Sequence, residues 1–275
     1  MSDHISSDRH RFAIGAVGGP TAVIDYGGLR FLTDPTFDPP GDYGAYRKTE
    51  GPAVSPAALG TVDAVLLSHD LHWDNFDREG RVFARNCPLI VTGGQSAERL
   101  GAPAIGLGDF AVHRMSHDGT EIRVHAVPAQ HGPLDGERDD AGNINTEVHG
   151  FVLESAGLPT VYVSGDNAGI GPVTAIAAAF PRIDIAVLHA GAARVPSKNA
   201  GRALTLTSAR AADVAALLDA GRVVAVHHEG WSIYSENFAD LEREFSDAGI
   251  RSRLVEAEPG RWALRHDETG PRVSA

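Results

Sequence analysis

Several apolar runs in this chain stop at a histidine or an aspartate, and that recurrence restricts the fold more than any overall property does. Val62-Asp63-Ala64-Val65-Leu66-Leu67 leads into Ser68-His69-Asp70-Leu71-His72-Trp73-Asp74-Asn75. The run over 121–128 is followed by Ala129-Gln130-His131, Val163-Ser164-Gly165 precedes Asp166, and Val226 precedes His227. Runs this continuous read as strands covered on both faces, in the parallel arrangement whose carboxyl ends gather loop residues at one site. Two imidazoles and two carboxylates between His69 and Asp74 are costly to bury together unless a cation or strong hydrogen bonds compensate them. A metal centre is the economical account.

Composition narrows the ligand chemistry. The 275 residues hold a single cysteine, Cys87, which excludes an internal disulfide and a thiolate cage, so imidazoles and carboxylates remain. There are 13 histidines. Asp and Glu outnumber Lys and Arg 36 to 24, and the net charge of -12 argues against nucleic acid or an anionic membrane as partner. No stretch approaches the ~20 apolar residues of a spanning helix, and the N-terminus lacks the apolar core of a signal peptide. The expectation is a cytoplasmic protein acting on a small molecule, with a homo-oligomer left open.

Strands are expected over 12–17, 21–26, 29–33, 62–68, 89–92, 112–115 and 121–128, then over 151–154, 160–163, 183–188 and 223–226. Helices are expected over 172–179, 208–220 and 236–248, the second capped by Thr207 or Ser208 and ended by Gly221, the third capped by Ser235. Residues 1–10 are polar and unpatterned, a disordered tail, and 11–275 form one domain. Two long loops, 37–56 and 133–147, are candidates for binding segments.

This order of strand-end aspartate, His-rich motif, histidine, aspartate and histidine resembles the metallo-β-lactamase-fold metallohydrolases over nearly the whole chain. The likeness is nearest to the branch of small hydrolases that includes the L-ascorbate 6-phosphate lactonase. It implies an α/β fold, a four-layer αββα sandwich, with one or two divalent ions at an edge between the sheets. Zn2+ is the expected ion, with Mn2+ or Fe2+ as alternatives. His131 resembles the third histidine of the first site, Asp166 the carboxylate bridging both ions, and His227 the second-site histidine. Asp34 resembles the buried aspartate that holds the His-rich loop.

The motif departs from His-x-His-x-Asp-His. Read without a gap, Asp70, His72, Asp74 and Asn75 fill its ligand positions. With one residue inserted at Leu71, His69 and His72 supply the first pair, and the second register is favoured because it completes a three-imidazole site with His131. Either register puts Asn75, a weak neutral donor, in a second-site position; His228 or His189 could substitute. The implied chemistry is hydrolysis of a small ester, lactone or phosphoester by metal-activated water, with Asp74 orienting the nucleophile or relaying its proton. Tyr43, Tyr46, Arg47 and Lys48 could contact an anionic group, and Trp73 and Trp231 would line the pocket. Two alternatives stand beside this reading: an iron-dependent oxidoreductase of the same fold, or a degenerate member that binds a ligand without turnover.

Overall fold

The computed structural model describes residues 3–266. Its strands are β1 (Phe12–Gly18), β2 (Thr21–Tyr26), β3 (Leu29–Thr33), a short ribbon of β4 (Gly41–Asp42) and β5 (Arg47–Lys48), β6 (Ala64–Leu66), β7 (Ile90–Thr92), β8 (Ala104–Gly106), β9 (Val112–His117), β10 (Thr120–Pro128), β11 (His149–Glu154), β12 (Val161–Val163), β13 (Ile185–His189), β14 (Arg222–Val226), β15 (Leu254–Val255) and β16 (Trp262–His266). The α-helices are α1 (Arg78–Arg85), α2 (Gly94–Leu100), α3 (Ile170–Ala179), α4 (Ser208–Leu217) and α5 (Phe238–Asp247).

Two seven-stranded sheets result, in the orders β16-β1-β2-β3-β6-β7-β8 and β15-β14-β13-β12-β11-β10-β9. Each has an antiparallel half and a parallel half, the parallel half built from crossovers. The tight β2–β3 turn needs Gly27 and Gly28, both at positive φ (61° and 91°), where a side chain on Gly28 would also strike the His117 ring.

Alternation sorts the side chains into three cores. Ile14, Ile24, Phe31 and Leu66 of the first sheet meet Val124, Phe151, Val163 and Val187 of the second between the sheets. The outer face of the second sheet packs Tyr162, Leu188 and Val223 against Val173, Val214 and Phe245 of α3, α4 and α5. The outer face of the first packs Val23, Leu32 and Val65 with Phe76, Ala84 and Cys87. The order of layers is helix, sheet, sheet, helix, and the fold is α/β as expected.

Several local expectations are corrected. Asp3–His10 do not form a disordered tail: Ile5 is buried, its N–H donates to Gly260 O (2.9 Å), and Trp262 N–H donates to Asp3 O (2.9 Å). The cause is Arg30, fully buried and paired with Asp25, whose guanidinium donates to Ser6 O and Asp8 O (both 2.7 Å) and so holds that segment on the sheet. Met1 and Ser2 lie outside the described residues. Helix α5 starts two residues later than expected, because Asn237 rather than Ser235 caps it, in a reciprocal capping box with Asp240. Helix α4 ends before Gly221, on Leu218, with Asp219 taking the left-handed conformation. Helices α1 and α2 are additional to the expected three.

Candidate metal centre

Because β3, β6, β10, β12, β13 and β14 all run toward one edge of the sandwich, the residues that follow them, and His189 at the end of β13, converge there. Asp34 leaves β3 at positive φ (30°), with its Oδ1 accepting the Ser68 N–H (2.7 Å) that begins the loop after β6. Burial pushes the Asp34 carboxyl up to about 8, against the Ser68 hydrogen bond and with help from the charge of Asp166. Beyond Ser68 the loop closes in a turn whose Asn75 and Phe76 N–H groups donate to His72 O (3.3 and 3.0 Å), and Phe76 plugs into the outer core. Asp77 then caps α1.

His69, His72 and His131 form the first donor group. His72 Nδ1 lies 2.7 Å from His69 Nε2 and 3.0 Å from His131 Nε2. His131 donates from Nδ1 to Leu204 O (2.9 Å), which leaves its Nε2 an acceptor aimed at the other two rings; His69 Nδ1 is taken by Ser68 Oγ (2.9 Å). Burial, reinforced by the neighbouring imidazoles, lowers the basicity of both His69 and His72, the latter to about 4, so both rings are neutral at pH 7. Nitrogens this close are joined either by a shared N–H or by a cation lying among them. The set of three imidazoles suits Zn2+.

Asp166, His189 and His227 form the second group. Asp166 faces both: Oδ2 is 3.6 Å from His131 Nε2, while Oδ1 is 2.9 Å from His189 Nδ1 and 3.4 Å from His227 Nε2. Burial would raise the pKa of Asp166, yet the surrounding imidazoles, His227 foremost, hold it well below the ordinary range. Asp74 Oδ2 approaches His227 Nε2 at 3.4 Å. Asn75 is fully buried and donates from Nδ2 to Asp166 Oδ1 (2.9 Å) and to Asp34 Oδ2 (3.4 Å). Asn75 Oδ1, His189 Nε2 and both ring nitrogens of His227 are buried with no hydrogen-bond partner among the described residues. Of these, the unpartnered ring nitrogens of His227, beside a carboxylate that faces both groups, offer the lone pairs that a bound cation would use.

His227 takes its place through backbone geometry. It sits at positive φ (60°) and donates its N–H to Gly19 O (2.7 Å). Gly191 makes room, since a Cβ there would lie 2.1 Å from His227 O.

The remaining site candidates divide. Asp70 points away from the centre, bound by the Arg99 guanidinium and by Ser96 Oγ (2.8 Å), and Leu71 stands half exposed as the inserted residue; the ungapped register, with Asp70 as a donor, is thereby corrected. His228 is also outside both groups, its ring 6.0 Å from that of Phe238. Lys48 is corrected as an anion contact: it is buried, with Nζ 2.8 Å from Asp77 Oδ2. Arg47 is exposed. Tyr43, Trp73 and Trp231 gather with Tyr46 into an aromatic wall, with Tyr43 and Trp231 rings 5.1 Å apart. Tyr46 Oη accepts the Trp73 N–H (3.1 Å). Tyr234 was not foreseen: its ring lies 4.2 Å from His227 and its buried hydroxyl has no partner among the described residues. Its only signal in sequence was a tyrosine three residues after Trp231, which no motif marks.

A family model described as "Beta-lactamase superfamily domain" matches residues 29–228. An uncharacterized protein of Mycobacterium tuberculosis is 33% identical over 132 residues, 45% of this chain and 35% of that protein, so the match spans about a third of the curated relative. Among solved structures, isothiocyanate hydrolase from Delia radicum gut bacteria superposes with a TM-score of 0.77 at 21% identity, covering 91% of this chain and 98% of its own. A possible metal-dependent hydrolase from Veillonella parvula gives 0.76 at 17%, covering 92% and 99%. The diiron beta-hydroxylase CmlA from Streptomyces venezuelae gives 0.66 at 16%, covering 94% and 55%. At these identities the structural likeness concerns the fold.

Proposed function

The chain belongs to the beta-lactamase superfamily, and we propose that it is a metal-dependent hydrolase of a small ester, lactone or phosphoester. The observation that carries this reading is the pair of donor groups joined by one carboxylate, Asp166, at the shared edge of the sheets. His69, His72 and His131 would hold one ion, and Asp74, Asp166 and His227 would serve a second. When bound, a divalent ion, Zn2+ before Mn2+ or Fe2+, supplies a Lewis acid and a water acidic enough to ionise near neutrality.

The chain's own residues do the rest. His131 is held in one tautomer by Leu204 O, so its ring does not rotate away from the site. Asp34 anchors the loop that carries His69 and His72 through the Ser68 N–H. Asp74 takes a proton from the nucleophile and passes it on to the leaving group, with its carboxylate close to His227 and within reach of the Tyr46 hydroxyl. The aromatic wall of Tyr43, Trp73 and Trp231 contacts the substrate's apolar part and excludes water. The lactonase-like branch is the family neighbourhood from which to choose the first substrates.

Turnover of a panel of chromogenic esters, lactones and phosphoesters by zinc-loaded protein tests this. His131→Ala and Asp166→Ala should each reduce bound metal and lower kcat/KM by at least about 10^3-fold. Full activity in chelated, metal-free protein would overturn it. Iron-dependent oxidation is the second reading, favoured by the carboxylates Asp74 and Asp166 beside the second group and by the likeness to a diiron hydroxylase fold; bound iron with a visible absorption band would select it.

A further inference from the structure

Asn75 stands in a motif position where an imidazole is expected, yet its amide N–H groups are committed to the carboxylates of Asp166 and Asp34. It acts there as a donor that orients the bridging carboxylate, not as a metal donor. The imidazole nearest to the same carboxylate comes from another element. His189, the last residue of β13, is fully buried, 2.9 Å from Asp166 Oδ1 through Nδ1, and stacked on His227 with ring planes 12° apart and centroids 5.0 Å apart.

We infer that His189 replaces the imidazole lost at Asn75, so that Asp74, Asp166, His189 and His227 form a complete second metal site. The inference rests on the metal-centre reading above. Two atoms bound to one ion at about 2.1 Å lie about 3.0 to 3.4 Å apart for right-angle to tetrahedral geometry. The spacings of Asp166 Oδ1 and of Asp74 Oδ2 to His227 Nε2 (both 3.4 Å) fall in that range, and that of Asp166 Oδ1 to His189 Nδ1 (2.9 Å) lies just short of it. Both ring nitrogens of His227 are buried without a hydrogen-bond partner among the described residues, and His189 Nδ1 faces the same Asp166 oxygen that His227 Nε2 faces, with its own Nε2 turned toward Asp34 Oδ2 (3.7 Å). The place of His189 is also fixed independently of any ion: its backbone N–H donates to Ser164 Oγ (2.9 Å), two residues before Asp166. The lost ligand is thereby recovered from the opposite sheet, and the site has two imidazoles, His189 and His227, and two carboxylates, Asp74 and Asp166, of which the His-rich loop supplies Asp74 alone.

The test is metal stoichiometry, read by elemental analysis after loading with Zn2+ and gel filtration. Wild-type protein should hold two ions per chain, His189→Ala one, and Asn75→Ala two. His131→Ala should lose the other ion, which separates the sites. In the cobalt-substituted wild type, proton NMR should show five hyperfine-shifted imidazoles, a readout that stands even if His189→Ala fails to fold. A single ion in the wild type, two ions in His189→Ala, or four shifted imidazoles would overturn the inference while leaving the first site intact. Absence of any bound metal would instead overturn the metal-centre reading itself.

Discussion

Glu229, two residues beyond His227, shows how burial at this edge sets ionisation. Its carboxyl is pushed up to about 7 by burial first and by the charge of Glu50 second, against a backbone hydrogen bond from Gly19. The folded protein therefore holds this proton where the unfolded chain has released it. Between about pH 4.5 and 7 the native state binds more protons than the unfolded state, so the contribution of Glu229 to stability falls as pH rises and is constant above that window. Glu229→Gln should match wild type in urea denaturation at about pH 4 and be more stable at about pH 8, with the difference opening across that window. A difference that does not change with pH would refute this account. Single residues also explain the largest corrections to expectation. Lys48 reads in sequence as a loop cation, and nothing in Tyr46-Arg47-Lys48 reveals that Asp77, twenty-nine positions later, takes its ammonium into the interior.

At the scale of elements, helix α1 depends on one carboxylate. Asp77 caps it through Gly80 N–H (2.8 Å) and also receives Phe37 N–H (2.9 Å), Asp38 N–H (2.7 Å) and the Lys48 ammonium (2.8 Å). Asp77→Ala leaves those donors and a buried cation without their acceptor, and should cost about 3–5 kcal/mol in chemical denaturation. A loss near 1 kcal/mol would reduce Asp77 to an ordinary cap. The same helix shows why parts of the fold are hidden in sequence. Arg-Glu-Gly-Arg-Val-Phe-Ala-Arg is a run of eight residues with a glycine in its first turn and only three apolar side chains, too short to stand as a helix by itself, and the Asp77 cap is what starts it. The strands that carry the site are legible, because Val, Ile and Leu runs of both sheets must be buried on two faces and stop where polar chemistry begins. The His-rich register is not legible from spacing alone; Asp70 and His69 differ by one residue, and the side turned inward is decided by Arg99 and Ser96 capturing Asp70 from α2.

At the scale of the whole molecule, the fold class is what the family resemblance implies, and the strand-then-ligand pattern that carries the resemblance is accounted for by the two sheets: each repetition is a strand that ends at the same edge. The expected helices over the second sheet are present with shifted ends, set by Asn237 and Asp219, whose roles depend on backbone conformation that composition does not encode. Among the described residues no helix is long and apolar enough to cross a membrane.

The joining of the two donor groups has a mechanical meaning. His69 and His72 hang from the first sheet, while His131, Asp166, His189 and His227 hang from the second, and the only cysteine is buried and free. An ion held between His69 and His72 on one side and Asp166 on the other would be a clasp between the two halves, joining positions more than ninety residues apart that no covalent bond joins. Ligand binding to the native state alone adds about 2.7 kcal/mol at a hundredfold excess over Kd. If both sheets must part before the ion can leave, that gain falls mainly on the unfolding rate. Chelation should then shorten the unfolding half-life in denaturant roughly a hundredfold while changing the refolding rate little. Equal unfolding rates with and without metal would show that the halves separate elsewhere first.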